Sequence, residues 1–104
     1  SVSAASIPVL IADDSKLTRI SLRTTLRQDS WLRCVGEAEN GLEAVAMVEA
    51  QRPQVVLMDI GMPQMDGIAA TRAIRSKWPD VKVVMLTSHE NDEDILEAFQ
   101  AGAS

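Results

Sequence analysis

Apolar residues fall in two rhythms along this chain: short, nearly continuous runs, and longer stretches where they recur every three or four positions. The short runs are Ile7–Ala12, Leu32–Ala38, residues 55–58 and residues 82–87. The first, third and fourth are almost uninterrupted, as strands buried on both faces of a parallel sheet must be. Residues 16–28 carry Leu17, Ile20, Leu22 and Leu26, and residues 41–50 carry Leu42, Val45, Ala46 and Val48. Gly67–Lys77 carries Ile68, Ala70 and Ile74, while residues 92–101 place Ile95, Ala98 and Phe99 on one helical face. Pro53 and Pro79 each separate a helical stretch from the next run, as breakers should. Acids at 92–94 suit a helix start, and Gly102 suits the left-handed residue that ends one. The pattern reads β-α-β-α-β-α-β-α. It predicts a parallel sheet with right-handed crossovers and helices on both faces.

Length and composition narrow the reading without naming a chemistry. The 104 residues are enough for one domain, expected over 7–104 behind a flexible segment at 1–6. With 46% hydrophobic and 24% charged residues, a packed core is available. A net charge of −5 argues against this chain gripping a nucleic-acid backbone, which needs clustered Lys and Arg. A single cysteine, Cys34, allows no internal disulfide and is expected to be a buried structural thiol. No apolar run approaches a membrane span, and the first six residues lack the charged and apolar regions of a signal peptide. A soluble cytoplasmic protein is expected.

In open parallel sheets, ligands bind beyond the carboxyl ends of the strands. Asp13, Asp14 and Ser15 follow the first run, Asp59 follows the third, and Thr87, Ser88 and His89 close the fourth. Each has an ordinary alternative. Asp13 or Asp14 could cap the first helix, Asp59 could start a turn before Met62-Pro63, and Thr87 could simply favour a strand. Taken together, Asp13, Asp14, Asp59 and Thr87 form a chemical set. Three carboxylates at one sheet edge repel one another, and a hard divalent cation such as Mg²⁺ relieves that repulsion. One carboxylate could then act as a nucleophile toward phosphorus, with a hydroxyl donor orienting the transferred group.

These residues resemble a known family. The segments Leu10-Ile-Ala-Asp-Asp-Ser15, Val56-Leu-Met-Asp-Ile-Gly-Met-Pro63 with Asp66-Gly67, Val84-Met-Leu-Thr-Ser88 and Ala98-Phe-Gln-Ala-Gly-Ala103 are similar to the receiver domain of bacterial two-component response regulators. The likeness implies a flavodoxin-like, doubly wound sheet of strand order 2-1-3-4. It implies a phosphoacceptor signalling domain that takes a phosphoryl group from a sensor histidine kinase, helping its own phosphorylation and dephosphorylation without being an enzyme. By the same likeness Asp59 is the phosphoacceptor, and Asp13 and Asp14 hold Mg²⁺ with Asp59 and the carbonyl of Gly61. Thr87 becomes the switch residue that hydrogen-bonds the phosphoryl group, while Ser88 and His89 modulate access and lifetime. Phosphorylation then biases a two-state equilibrium of a partner-binding face. The style of residues 35–42 and 66–72 resembles receivers joined to helix-turn-helix output domains, through which any DNA contact would pass.

The family pattern continues into a fifth strand, with an aromatic switch residue and a lysine, and a fifth helix. This chain ends at Ser104, ahead of them, so a truncated receiver is expected. Impaired phosphorylation is expected with it, as is self-association or element exchange through an exposed fourth strand. The alternative is a pseudo-receiver, an interaction module working without phosphate. An aspartate-nucleophile phosphatase would want a second Asp where Gly61 stands, and a flavin-binding protein of similar topology would want a Ser/Thr-rich loop where Asp13 and Asp14 stand.

Overall fold

The computed structural model describes residues 6–59, 62 and 67–86. Their elements follow in the order β1 (Ile7–Ala12), α1 (Lys16–Arg27), β2 (Leu32–Ala38), α2 (Gly41–Gln51), β3 (Val55–Asp59), α3 (Gly67–Lys77) and β4 (Lys82–Leu86). The strands form a parallel sheet of order β2-β1-β3-β4. This is the doubly wound receiver arrangement expected from the sequence. The helical stretch expected at 92–101 lies outside the described residues.

Strand alternation divides the interior into two layers. Val9 and Ile11 of β1 face one way, with Leu57 of β3 and Leu22 and Leu26 of α1. Leu10 and Ala12 face the other way, with Val56, Met58, Ala44, Val48, Ala70 and Ile74. Thus α1 covers one face, and α2 and α3 cover the other. Each fully buried Leu, Ile or Val contributes about 1.5–3 kcal/mol by leaving water. The middle strands β1 and β3 therefore anchor the sheet. β2 departs from the plain ladder: its pairing with β1 shifts between Val9 and Leu10, which match Cys34 and Gly36, so Val35 is the extra residue.

Local chemistry sets the helix ends. Ser15 caps α1, its side chain accepting the Thr18 N–H at 3.3 Å. Asn40 caps α2 by accepting the Glu43 N–H at 2.8 Å, and Glu43 reaches back to the Glu39 N–H at 3.1 Å. α2 ends on Arg52 in the left-handed region, at φ 48°. Pro53 follows it, as the breaker reading requires.

The helical rhythm located the helices, and the structure shows which of their apolar residues face the sheet. Leu17, Ile20, Leu42 and Ile68 are exposed, at 78%, 39%, 54% and 48%. The core contacts come from Leu22, Leu26, Val48, Ala70 and Ile74 of that pattern, joined by Ala44. An α/β helix buries only the stripe facing the sheet, and small residues such as Ala44 let it approach closely. Cys34 is half-buried rather than fully buried, its thiol donating to the Gly36 carbonyl at 3.4 Å.

Candidate functional site

Parallel register brings the site residues together. Ala12 pairs with Met58 and Asp59 pairs with Leu86, so the ends of β1, β3 and β4 lie side by side. Asp13, one residue beyond Ala12, and Asp59, one beyond Met58, therefore meet at the carboxyl edge. Asp13, Asp14 and Asp59 each offer a carboxylate oxygen, and these oxygens lie within 4.8 Å of one another. Asp13 and Asp59 are buried, whereas Asp14 is exposed.

Asp13 is held at three points. Its N–H donates to the Ala38 carbonyl of β2 at 3.0 Å, extending the ladder by one step. Its Oδ1 accepts the Ser15 N–H at 2.8 Å. Its own carbonyl accepts from Nη1 of Arg19 at 2.7 Å. The helix cap is therefore Ser15, and neither Asp13 nor Asp14 caps α1.

Burial pushes the Asp13 carboxyl above its usual range. The Ser15 N–H works against that shift, the Asp59 and Asp14 carboxylates add to it, and Arg19 opposes it. A group held this way favours any cation that replaces the lost water and offsets the neighbouring charge. Three hard carboxylate donors within one ion's reach, two of them buried, fit a divalent cation.

Gly61, Thr87, Ser88 and His89 lie outside the described residues, so their assigned places carry no geometry. Arg19 and Glu37 were not singled out in the sequence, and both matter here. Arg19 is buried at 7% exposure on α1, with Nε 3.2 Å from Oε1 of Glu37 and Nη2 3.6 Å from Oε1 of Glu39. Glu37 also accepts from Arg23 at 2.6 Å. A detectable signal was present: Arg19 shares the i, i+3, i+7 face of Leu22 and Leu26, where a charge is out of place without a partner.

Comparison with known proteins agrees with this geometry. The response regulator receiver domain profile matches residues 9–104. The chain belongs to that family. It is 41% identical over 95 residues to YhcZ, an uncharacterised transcriptional regulatory protein of Bacillus subtilis; the match takes in 91% of this chain and 44% of YhcZ. It is 39% identical over 97 residues to the response regulator protein VraR of Staphylococcus aureus, covering 93% of this chain and 46% of VraR. The chain thus spans a little under half the length of these relatives. The crystal structure of the response regulator domain of Thermotoga maritima CheB superimposes with a TM-score of 0.77 at 37% identity, covering 94% of this chain and 74% of that one. In this receiver domain the aspartate cluster has the character of a phosphoacceptor and Mg²⁺ site. Among the described residues, no helix is long and apolar enough to cross a membrane.

Proposed function

We propose that this receiver accepts a phosphoryl group on Asp59 from the phosphohistidine of a sensor histidine kinase. Asp13, Asp14, Asp59 and the Gly61 carbonyl would hold Mg²⁺, Thr87 would bind the phosphoryl oxygens, and Ser88 and His89 would tune the lifetime of the product. The gathering of three carboxylates within 4.8 Å at the strand ends carries this reading.

The chemistry follows from the placement. A carboxylate oxygen of Asp59 attacks phosphorus; the new O–P bond forms as the P–N bond breaks, and the imidazole leaves with the electron pair and takes up a proton. Asp59 closes β3 between β1 and β4, so its position is fixed by strands on both sides rather than by a loop. Asp13, tied at three points, keeps its carboxylate beside that nucleophile. Bound among these oxygens, Mg²⁺ would offset the charge of the carboxylates and of the transferred group.

The test is incubation with acetyl phosphate and Mg²⁺, followed by mass spectrometry of the chain and its peptides. One phosphoryl group is expected, on Asp59, absent in Asp59→Asn and absent with EDTA. Modification elsewhere, or none at all, sinks the reading and favours an interaction module without phosphate. DNA binding would belong to an output domain joined to a receiver of this kind, as the regulatory names of the relatives suggest. A cytoplasmic location is part of the same proposal. Self-association through β4 is checked by light scattering, where a monomer at micromolar concentration removes it.

A further inference from the structure

A buried guanidinium ties the site loop to two other elements. Arg19 sits on α1 at 7% exposure, and its donors diverge. Nη1 bonds the Asp13 carbonyl at 2.7 Å, and Nε bonds Glu37 on β2 at 3.2 Å. Nη2 faces Glu39, beyond the end of β2, at 3.6 Å. Pairing α1 with β2 would need only the Glu37 bond, and Arg23 already supplies a second cation to Glu37 at 2.6 Å. The donor spent on the Asp13 carbonyl does something else: it fixes the backbone that carries one of the three clustered carboxylates.

We infer that Arg19 is a positioning residue, which holds the Asp13 backbone so that the carboxylate cluster discriminates Mg²⁺ from Ca²⁺. The inference rests on the metal-site reading above. Mg²⁺ demands near-ideal octahedral geometry with short bonds, whereas Ca²⁺ accepts longer and more variable ones. A rigidly placed carboxylate therefore serves Mg²⁺ selectively, and a loosened one loses Mg²⁺ first. Lysine cannot replace this function, because one ammonium point lacks the planar fork that reaches the carbonyl and Glu37 together.

The experiment is calorimetric titration of the chain with MgCl₂ alone and with CaCl₂ alone, at fixed ionic strength. It compares the unsubstituted chain with Arg19→Gln, Arg19→Lys and Arg23→Gln, each shown folded by circular dichroism. Arg19→Gln is expected to weaken Mg²⁺ binding about ten-fold, the usual scale for losing a group that orients a metal ligand. Its Ca²⁺ affinity should change much less, and Arg19→Lys should not restore Mg²⁺ affinity. Arg23→Gln, which touches the same Glu37 without reaching Asp13, should leave both affinities near the starting values. Equal loss of the two cations in Arg19→Gln, or a matching Mg²⁺ loss in Arg23→Gln, overturns the inference. If Arg19→Gln does not fold, Arg19→Lys decides, and unchanged selectivity there counts against it. Failure of the unsubstituted chain to bind Mg²⁺ would instead overturn the metal-site reading itself.

Discussion

The two ends of the sheet are built on opposite principles. At the carboxyl end, carboxylates from the end of β3 and the loop after β1 crowd into one small volume, where burial and like charge work against ionised Asp13. At the amino end, the loops before β3 and β4 are closed by Pro53, Pro79 and Trp78. Gln54 donates to the Pro8 carbonyl at 2.9 Å, Lys82 donates to Gln54 at 2.9 Å, and Val81 donates to Trp78 at 3.0 Å. Arg52 and Lys77 lie over the Trp78 ring, 5.4 and 5.6 Å from its centre. Unfavourable charge is concentrated at the functional edge, and the opposite edge is satisfied by backbone bonds and aromatic packing. A receiver needs both, because strand ends hold carboxylates in register only when the strands themselves are firmly placed.

The largest expected separation of the two ends comes from Trp78→Ala. Trp78 packs against the core layer under α2 and α3, so its truncation should cost about 2 kcal/mol, less than a fully buried aromatic. Urea unfolding measures the loss, and the Mg²⁺ affinity of the folded variant should be unchanged. A parallel loss of Mg²⁺ affinity would show that the two ends are coupled.

Asp13→Asn should have the opposite signature. It removes a buried charge and its repulsion with Asp59 and Asp14, so the metal-free chain should gain about 1 kcal/mol at neutral pH while Mg²⁺ binding is lost. The pH dependence fixes the sign. Burial raises the Asp13 pKa in the folded chain above its ordinary value of 3.8, so the folded state holds that proton more tightly than the unfolded one. The metal-free chain should therefore lose stability as pH rises from 3.8 through the folded-state pKa, and Asp13→Asn should lack that loss. Saturating Mg²⁺ should offset it. Thermal melts across this range, with and without Mg²⁺, check all three points.

The smallest effect is expected at Arg52, the one non-glycine residue with positive φ among those described. Arg52→Gly relieves the left-handed strain but gives up the contact over Trp78, so a net gain of about 0.5 kcal/mol is expected. A loss instead would mean that the cation over the ring outweighs the backbone term.

Legibility in the sequence followed the strength of each physical signal. The buried strands were readable because residues 55–58 and Val83 and Val84 are apolar without interruption. Asp13, Asp14 and Asp59 were readable because they follow such runs, where chain direction leaves polar groups at the sheet edge. Which helical residues point inward was less readable. Leu17 and Ile68 satisfy an apolar rhythm yet face outward, because periodicity counts residues and cannot say which stripe meets the sheet. Arg19 was missed for a related reason: its partner Glu37 is 18 residues away and becomes a neighbour only when α1 packs against β2, while the nearby Asp13 meets it through a backbone carbonyl that no residue pattern marks.

The sequence by itself determined the alternation of strand and helix, the receiver family and the identity of three acids at strand ends, since each follows from local pattern and chain direction. Tertiary structure decided the rest. Parallel register placed Asp13 beside Asp59, and packing of α1 onto the sheet buried Arg19, so that one guanidinium could reach both a β2 carboxylate and the backbone of the acid pocket. Those contacts depend on distances between separate elements, and no local pattern encodes such distances.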